Sequence, residues 1–363
     1  MAEGRVLRVD PRDDVVVALA PLDAGTTVAD AGASLHVREA IPVGHKLAVR
    51  DLAAGAVVHK FGAPIGRATQ PILAGAHVHV HNLATMLEEG ATPVFAGAPA
   101  RPSIVDRPDA WHGYRRADGR AATRNELWII PTVGCVNALA MRLATLARAR
   151  LAGRADGVHA FPHPFGCSQL GDDLARTRHV LAGLAMNPNA GGVLLLGLGC
   201  ENNRLDALRA ELATVPAERL ASFDAQGVSD EEESGLVAIE RLLDAMAHDV
   251  RVPLPLSALV LGTKCGGSDG FSGLTANPLV GAVAERVTAA GGVALLSEVP
   301  EMFGAEASLL ARAVSPRVHA DVVRLVDDFK RYFRAHAQPI HENPSPGNKD
   351  GGITTLEEKS LGA

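Results

Sequence analysis

The spacing of the four cysteines constrains the fold more than any other feature of the chain. Cys135, Cys167, Cys200 and Cys265 are separated by 32, 33 and 65 residues. A βα unit takes about 30 residues, so these steps correspond to one, one and two units. Each cysteine follows an apolar run that reads as a buried strand: 127–133, 157–161, 191–196 and 256–261. Helical stretches at 138–152 and 172–184 fall between them, and the acidic start Ser229-Asp230-Glu231-Glu232-Glu233 opens another helix that runs to about residue 247. Right-handed crossovers would line such strand ends along one edge of a parallel sheet, where α/β folds place their ligands. The expectation is an α/β, Rossmann-like parallel-sheet region over 113–363. All four thiols sit in polar loops, although free cysteine also suits a tight strand end as a small hydrophobe.

The last of these loops is the richest in chemistry. Lys264-Cys265-Gly266-Gly267-Ser268-Asp269-Gly270-Phe271-Ser272-Gly273 supplies four glycines, a thiol, an amine, a carboxylate and two hydroxyls. Glycine lets a backbone approach a ligand closely. A phosphate cradle is poorly supported: there is no Gly-x-x-x-x-Gly-Lys-Ser/Thr, and Gly197-Leu198-Gly199 lacks the third glycine. A zinc ribbon would need paired Cys-x-x-Cys motifs, which are absent. Separated cysteines at strand ends suit a mononuclear iron or an iron–sulfur cluster. A hydrolase has little support, because Ser268 and Ser272 lack an adjacent histidine.

Residues 1–97 have a different character. Short apolar runs alternate with turns such as Asp10-Pro11-Arg12-Asp13-Asp14 and Pro42-Val43-Gly44, which predicts a small all-β, barrel-like or clip-like domain. Within it, His77-Val78-His79-Val80-His81-Asn82 alternates imidazole with valine, so on a strand the three imidazoles share one face. Two such imidazoles make half a metal site, and His45 is a candidate to join them. Residues 98–112 are rich in proline and alanine and read as a linker. Beyond it, Arg115, Arg116, Arg120 and Arg124 offer forked recognition of a carboxylate, or else form a solvated charged loop.

Composition narrows the functional class. Of 363 residues 47% are hydrophobic and 21% charged, enough for a sizeable core. The net charge of −6 with no basic block argues against nucleic acid as a partner. No apolar run approaches the ~18 residues of a membrane span, and the first residues lack a signal pattern. A cytoplasmic location with free cysteines is expected.

Several long stretches also carry a family resemblance: Gly44-His45-Lys46, Ile65-Gly66-Arg67-Ala68, His77 to Asn82, Glu126 to Asn137, Gly166 to Asp173, Gly197 to Asn203, Lys264 to Gly273 with Asn277-Pro278, Glu298 to Glu306, and Glu342 to Lys349. In these the chain resembles the altronate/galactarate dehydratase family of hydro-lyases, with the His-x-His-Asn stretch closer to the altronate branch. The resemblance implies a β-clip domain of the SAF type at 1–97, followed by α/β domains. It implies conversion of D-altronate to 2-keto-3-deoxy-D-gluconate and water, with Fe2+ or Mn2+ as cofactor and an iron–sulfur cluster still open. Galactarate, or binding of a sugar acid without catalysis, are the alternatives. These features of the sequence are compatible with a homo-oligomer acting on a small-molecule sugar acid. Family members continue beyond the position of Ala363, so the α/β region is expected to be short at its C-terminal end.

That chemistry asks for removal of a weakly acidic hydrogen beside a carboxylate and loss of hydroxide, which a metal, a base and an acid together promote. His79, His81 and His45 are the expected metal ligands, with Cys135, Cys167, Cys200 and Cys265 as the alternative set. Lys264 or His163 would be the base, and Asp269 or Glu298 would orient hydroxyls or relay the proton. Arg115 and Arg124, with Ser268 and Asn202, would hold the sugar acid.

Overall fold

The computed structural model describes residues 4–31, 33–87, 94–98 and 110–362. The chain forms two compact units, Met1–Arg107 with Val260–Ala363, and Pro108–Leu259.

The N-terminal part of the first unit is all-β. Strands Val6–Leu7, Val15–Ala18, Lys46–Ala48 and His77–Val78 form an antiparallel sheet in that order. Thr27–Asp30 and Ala33–His36 form a hairpin, and Val57–Lys60, Ala63–Ala68 and Leu83–Ala84 form a second sheet. Successive side chains of a strand face opposite ways. Val16 and Leu47 therefore enter one core, with Leu22, Val28 and Ile41. Val15 and Ala48 enter another, with Val58, Ile65 and Val78. Two-sided burial explains why these strands read as continuous apolar runs.

The second unit holds a four-stranded, all-parallel sheet in the order Gly157–Ala160, Glu126–Pro131, Ala190–Gly197, Leu220–Asp224. Leu127, Ile129, Leu194 and Leu196 face helices Asn137–Arg148 and Glu231–Met246 on one side. Ile130, Val193 and Leu195 face Leu181 of Gly171–Ala185 and Leu208 of Leu205–Ala210 on the other. Asp230 caps the Glu231–Met246 helix by accepting from the backbone N–H of Glu232 and Glu233, as the acidic run predicts. Ala110–Arg115 pairs with Ala121–Ala122 and with Val252–Pro255.

Three expectations change here. The region 113–363 is not one α/β body, because 260–363 clusters with the N-terminal β module. The last cysteine strand is Val260–Thr263, after a short 3-10 turn at Leu256–Ala258; it pairs with Val293–Leu296 in a separate two-stranded sheet, so Cys265 does not share the edge carrying Cys135, Cys167 and Cys200. Of the expected linker 98–112, residues 99–109 lie outside the described residues and Ala110–His112 begin a strand.

The physical reason for the first change is a buried ion triad. Helix Leu356–Leu361 packs on strand Ala63–Ala68, and Thr355 donates its hydroxyl proton to the Ile65 carbonyl. Glu358 of that helix meets Lys46 Nζ at 2.8 Å and Lys60 Nζ at 2.9 Å, with all three side chains at least 98% buried. Burial alone would raise the Glu358 carboxyl, but the two ammonium groups outweigh it and hold it at about 2. Removing one partner of a buried pair strands a charge, at a cost of about 3–5 kcal/mol. Glu358→Gln should lower unfolding stability by roughly that amount at pH 7, measured by urea denaturation. Because the folded carboxyl lies below its ordinary 4.5, its contribution is present above that pH. It should decline as the pH falls from there toward 2.

Candidate active site

His45 follows the Pro42-Val43-Gly44 turn and leads into strand Lys46–Ala48. That strand pairs Leu47 with His77 and Lys46 with Val78. After Val78 the chain turns at once. Asn82 closes the turn: its Oδ1 accepts from His79 N–H at 2.9 Å and its Nδ2 donates to the His77 carbonyl at 2.8 Å. One ring nitrogen each of His45, His77 and His79 then lie within 4.8 Å of one another. The His77 and His79 rings stack at 5.3 Å and 15°, and the His45 ring lies 4.8 Å from His79.

The expected trio of His45, His79 and His81 therefore becomes His45, His77 and His79. The strand is only two residues long, so the turn carries His81 to an exposed position with its ring 5.4 Å from that of His77. Burial, then the neighbouring imidazoles and Lys46, push the His77 ring down to about 3. Burial, Lys46 and the other imidazoles push His79 down to about 4. Both are neutral at pH 7, the state in which imidazole binds a metal. His45 Nε2 donates to the Asp350 carbonyl at 3.0 Å, which leaves Nδ1 with its lone pair facing His77 Nε2, also at 3.0 Å. Three imidazoles with one ring nitrogen each within 4.8 Å of the others are a donor set that fits a divalent metal.

The glycine-rich loop adjoins this group. Gly270 N–H donates to the Gly351 carbonyl at 2.7 Å, and Asn348 Nδ2 donates to the Ser268 carbonyl at 2.8 Å. A Cβ on Gly270 would sit 2.0 Å from the Gly44 carbonyl oxygen, so only glycine permits this approach to the turn that carries His45. Asp269 spends Oδ1 on the N–H groups of Phe271 and Ser272. Lys264 donates to Glu298 Oε1, and Cys265 N–H donates to Glu298 Oε2 at 2.7 Å. That hydrogen bond raises the exposed Lys264 amine and lowers Glu298. Lys264 is thus held as an ammonium, which favours an acid or anion partner over the expected base. Cys265, Glu298 and Glu301 form a second group of donors, but Lys264 and Lys359 already pair with its carboxylates. Gly266-Gly267-Ser268-Asp269-Gly270 spells Gly-x-Ser-x-Gly, yet the Ser268 hydroxyl meets Cys265 Sγ at 3.4 Å rather than a histidine.

The remaining candidates belong to the second unit. Cys135 and Cys200 each lie four residues beyond a register pair, Pro131 and Leu196, and Cys167 follows the neighbouring strand. Asn202 ties two of these loops, donating its N–H to the Cys167 carbonyl at 2.9 Å and its Nδ2 to the Gln169 carbonyl at 3.0 Å. Cys135 and Cys200 are exposed and free. Among the described residues these thiols join no compact group of three metal donors. His163 is committed locally: Nε2 donates to the Pro131 carbonyl at 3.0 Å and Nδ1 accepts from Phe165 N–H at 3.3 Å, which leaves it ill placed to act as a base. Arg124 pairs with Glu126 at 3.0 Å, and Arg116 with Asp249 at 3.2 Å, whereas Arg115 is exposed. Lys46, Thr354, Asp350 and Glu358 were not singled out by sequence reasoning, and only the adjacency of Lys46 to His45 hinted at any of them.

Comparison with known proteins identifies the family of the chain. Residues 4–86 match the altronate/galactarate dehydratase SAF domain. Residues 113–247 match the second domain of D-galactarate dehydratase/altronate hydrolase, and 256–363 the C-terminal region of D-galactarate/altronate dehydratase. The altronate dehydratases of Escherichia coli and Bacillus subtilis are 47% and 44% identical over 362 residues, covering 98% of this chain and 72% of each relative. The chain belongs to the altronate/galactarate dehydratase family. A third family member, the Escherichia coli galactarate dehydratase (L-threo-forming), is 31% identical over 375 residues, or 98% of this chain and 71% of that one.

A histidine-ring NMR titration of the metal-free protein tests the electrostatics of this imidazole group. His77 and His79 should stay unprotonated at pH 6 and titrate near 3 and 4. Because the unfolded chain binds these protons from about pH 6.5 downward, stability should fall as the pH drops through that range.

Proposed function

We propose that this chain is a hydro-lyase that converts D-altronate to 2-keto-3-deoxy-D-gluconate and water, with Fe2+ or Mn2+ held by His45, His77 and His79. The observation that carries the reading is three closely grouped imidazoles, with His77 and His79 held neutral, beside the glycine-rich loop. The preference for altronate over galactarate rests on the 44–47% identity to altronate dehydratases against 31% to the galactarate enzyme.

The C2–H bond breaks, the C3 hydroxyl leaves as water, and the resulting enol becomes the 2-keto group. His45, His77 and His79 would hold the divalent ion, which would supply Lewis-acid polarisation of the substrate when bound. Asp269, with Oδ1 engaged in its own turn, keeps Oδ2 for proton transfer. Lys264, held as an ammonium by Glu298, is placed to protonate the departing oxygen or to bind the carboxylate. The thiols of the second unit are the alternative donor set for an iron–sulfur cluster.

Anaerobic iron loading followed by assay of 2-keto-3-deoxy acid formation tests the reading. His77→Ala should lose bound iron and cut turnover by more than the about ten- to hundredfold typical of an outer-shell partner, while His81→Ala should stay within about threefold of wild type. A His77→Ala protein with full iron and full turnover would sink the imidazole assignment. Stoichiometric acid-labile sulfide would point to the cysteines instead.

A further inference from the structure

The ring nitrogens that face away from the imidazole group are both received by one stretch of chain, residues 350–354. His45 Nε2 meets the Asp350 carbonyl at 3.0 Å, and His79 Nδ1 meets Thr354 Oγ1 at 3.2 Å. Metal-ligating histidines commonly have their outer nitrogen bonded in this way, and the partner fixes both tautomer and ring direction. A peptide carbonyl only accepts, so it fixes the proton on His45 Nε2. A hydroxyl can donate or accept, so what Thr354 fixes is the direction of the His79 ring, through an oxygen that must itself be held.

Lys46 holds it. Its three N–H donors meet three acceptors: Thr354 Oγ1 at 2.5 Å, the Gly352 carbonyl at 3.1 Å and Glu358 Oε2 at 2.8 Å. Thr354 N–H donates to the same Glu358 oxygen at 2.8 Å. The threonine is 5% exposed and held at both its backbone and its hydroxyl. With one lone pair of Oγ1 taken by the ammonium, the other is available for a proton on His79 Nδ1. In that tautomer the bare Nε2 belongs to the ligand group.

We infer that Thr354 is a positioning residue for the imidazole centre, aiming His79 through a hydroxyl held in place by Lys46 and Glu358. The inference rests on the reading of that centre as a metal site. It gives the Lys46–Glu358–Lys60 triad a role beyond stability.

The test uses Co2+ as probe on the reduced full chain without oxygen. Affinity is read by chelator competition and ligand geometry by the visible absorption bands. Thr354→Val, nearly isosteric, and Thr354→Ala, which cannot crowd its surroundings, should each bind Co2+ about ten- to a hundredfold more weakly, with shifted bands. Thr354→Ser should restore wild-type bands and an affinity within about threefold. Valine and alanine variants with wild-type affinity and bands overturn the inference. A serine variant as weak as the alanine one also overturns it, because the hydroxyl is then not the operative group. If the wild type takes up no Co2+, or His77→Ala takes it up equally well, the metal reading itself fails.

Discussion

The buried contact of Glu358 with Lys46 and Lys60 is the interaction on which the first unit depends. It joins a helix near the end of the sequence to two strands of the N-terminal β module, across about 300 residues of chain. Closing a loop that long costs little more than closing one half its length, since the penalty grows only with the logarithm of length. The larger cost is desolvating three charges, and it is offset only because each finds close, well-directed partners. A contact of this kind adds little stability over a well-packed apolar cluster. What it adds is register, because a one-residue slip of helix Leu356–Leu361 would leave charges unpaired in a dry interior.

Register matters here because of what lies beside the triad. The triad carries one more positive than negative charge, and Lys46 is among the causes that keep His77 and His79 neutral. Neutral imidazoles repel a cation less and offer their lone pairs to it. Thus the interaction that places the C-terminal segment also adds to the burial that keeps His77 and His79 neutral.

Much of this was legible in the sequence, and the failures have a common cause. The parallel sheet of the second unit follows from apolar runs at βα spacing, and three cysteines fall at its strand ends as that spacing requires. The β module follows from short runs between turns. The alternation of His77, His79 and His81 located the imidazole group but misassigned one member, because Asn82 ends the strand after Val78 through contacts that hydropathy does not encode. Lys46 and Lys60 sit among valines and leucines, where a lysine ordinarily faces solvent. Their partner is invisible without the tertiary structure. For the same reason residues 260–363 read as a continuation of the preceding α/β repeats, although they fold against the β module.

The glycines of the loop after Thr263 acquire a different meaning from the one their sequence suggested. A glycine-rich turn after a parallel strand ordinarily signals backbone approach to a ligand. Here Gly270 approaches other backbone: the carbonyls of Gly44 and Gly351 would lie 2.0 and 3.1 Å from a Cβ on it, and a Cβ on Gly352 would lie 2.4 Å from the Gly44 carbonyl oxygen. Three segments of chain meet without side chains between them. This lets Asp350 present its carbonyl to His45 while the loop carrying Lys264, Ser268 and Asp269 lies against the same turn. Glycine serves the assembly of these three segments at this point.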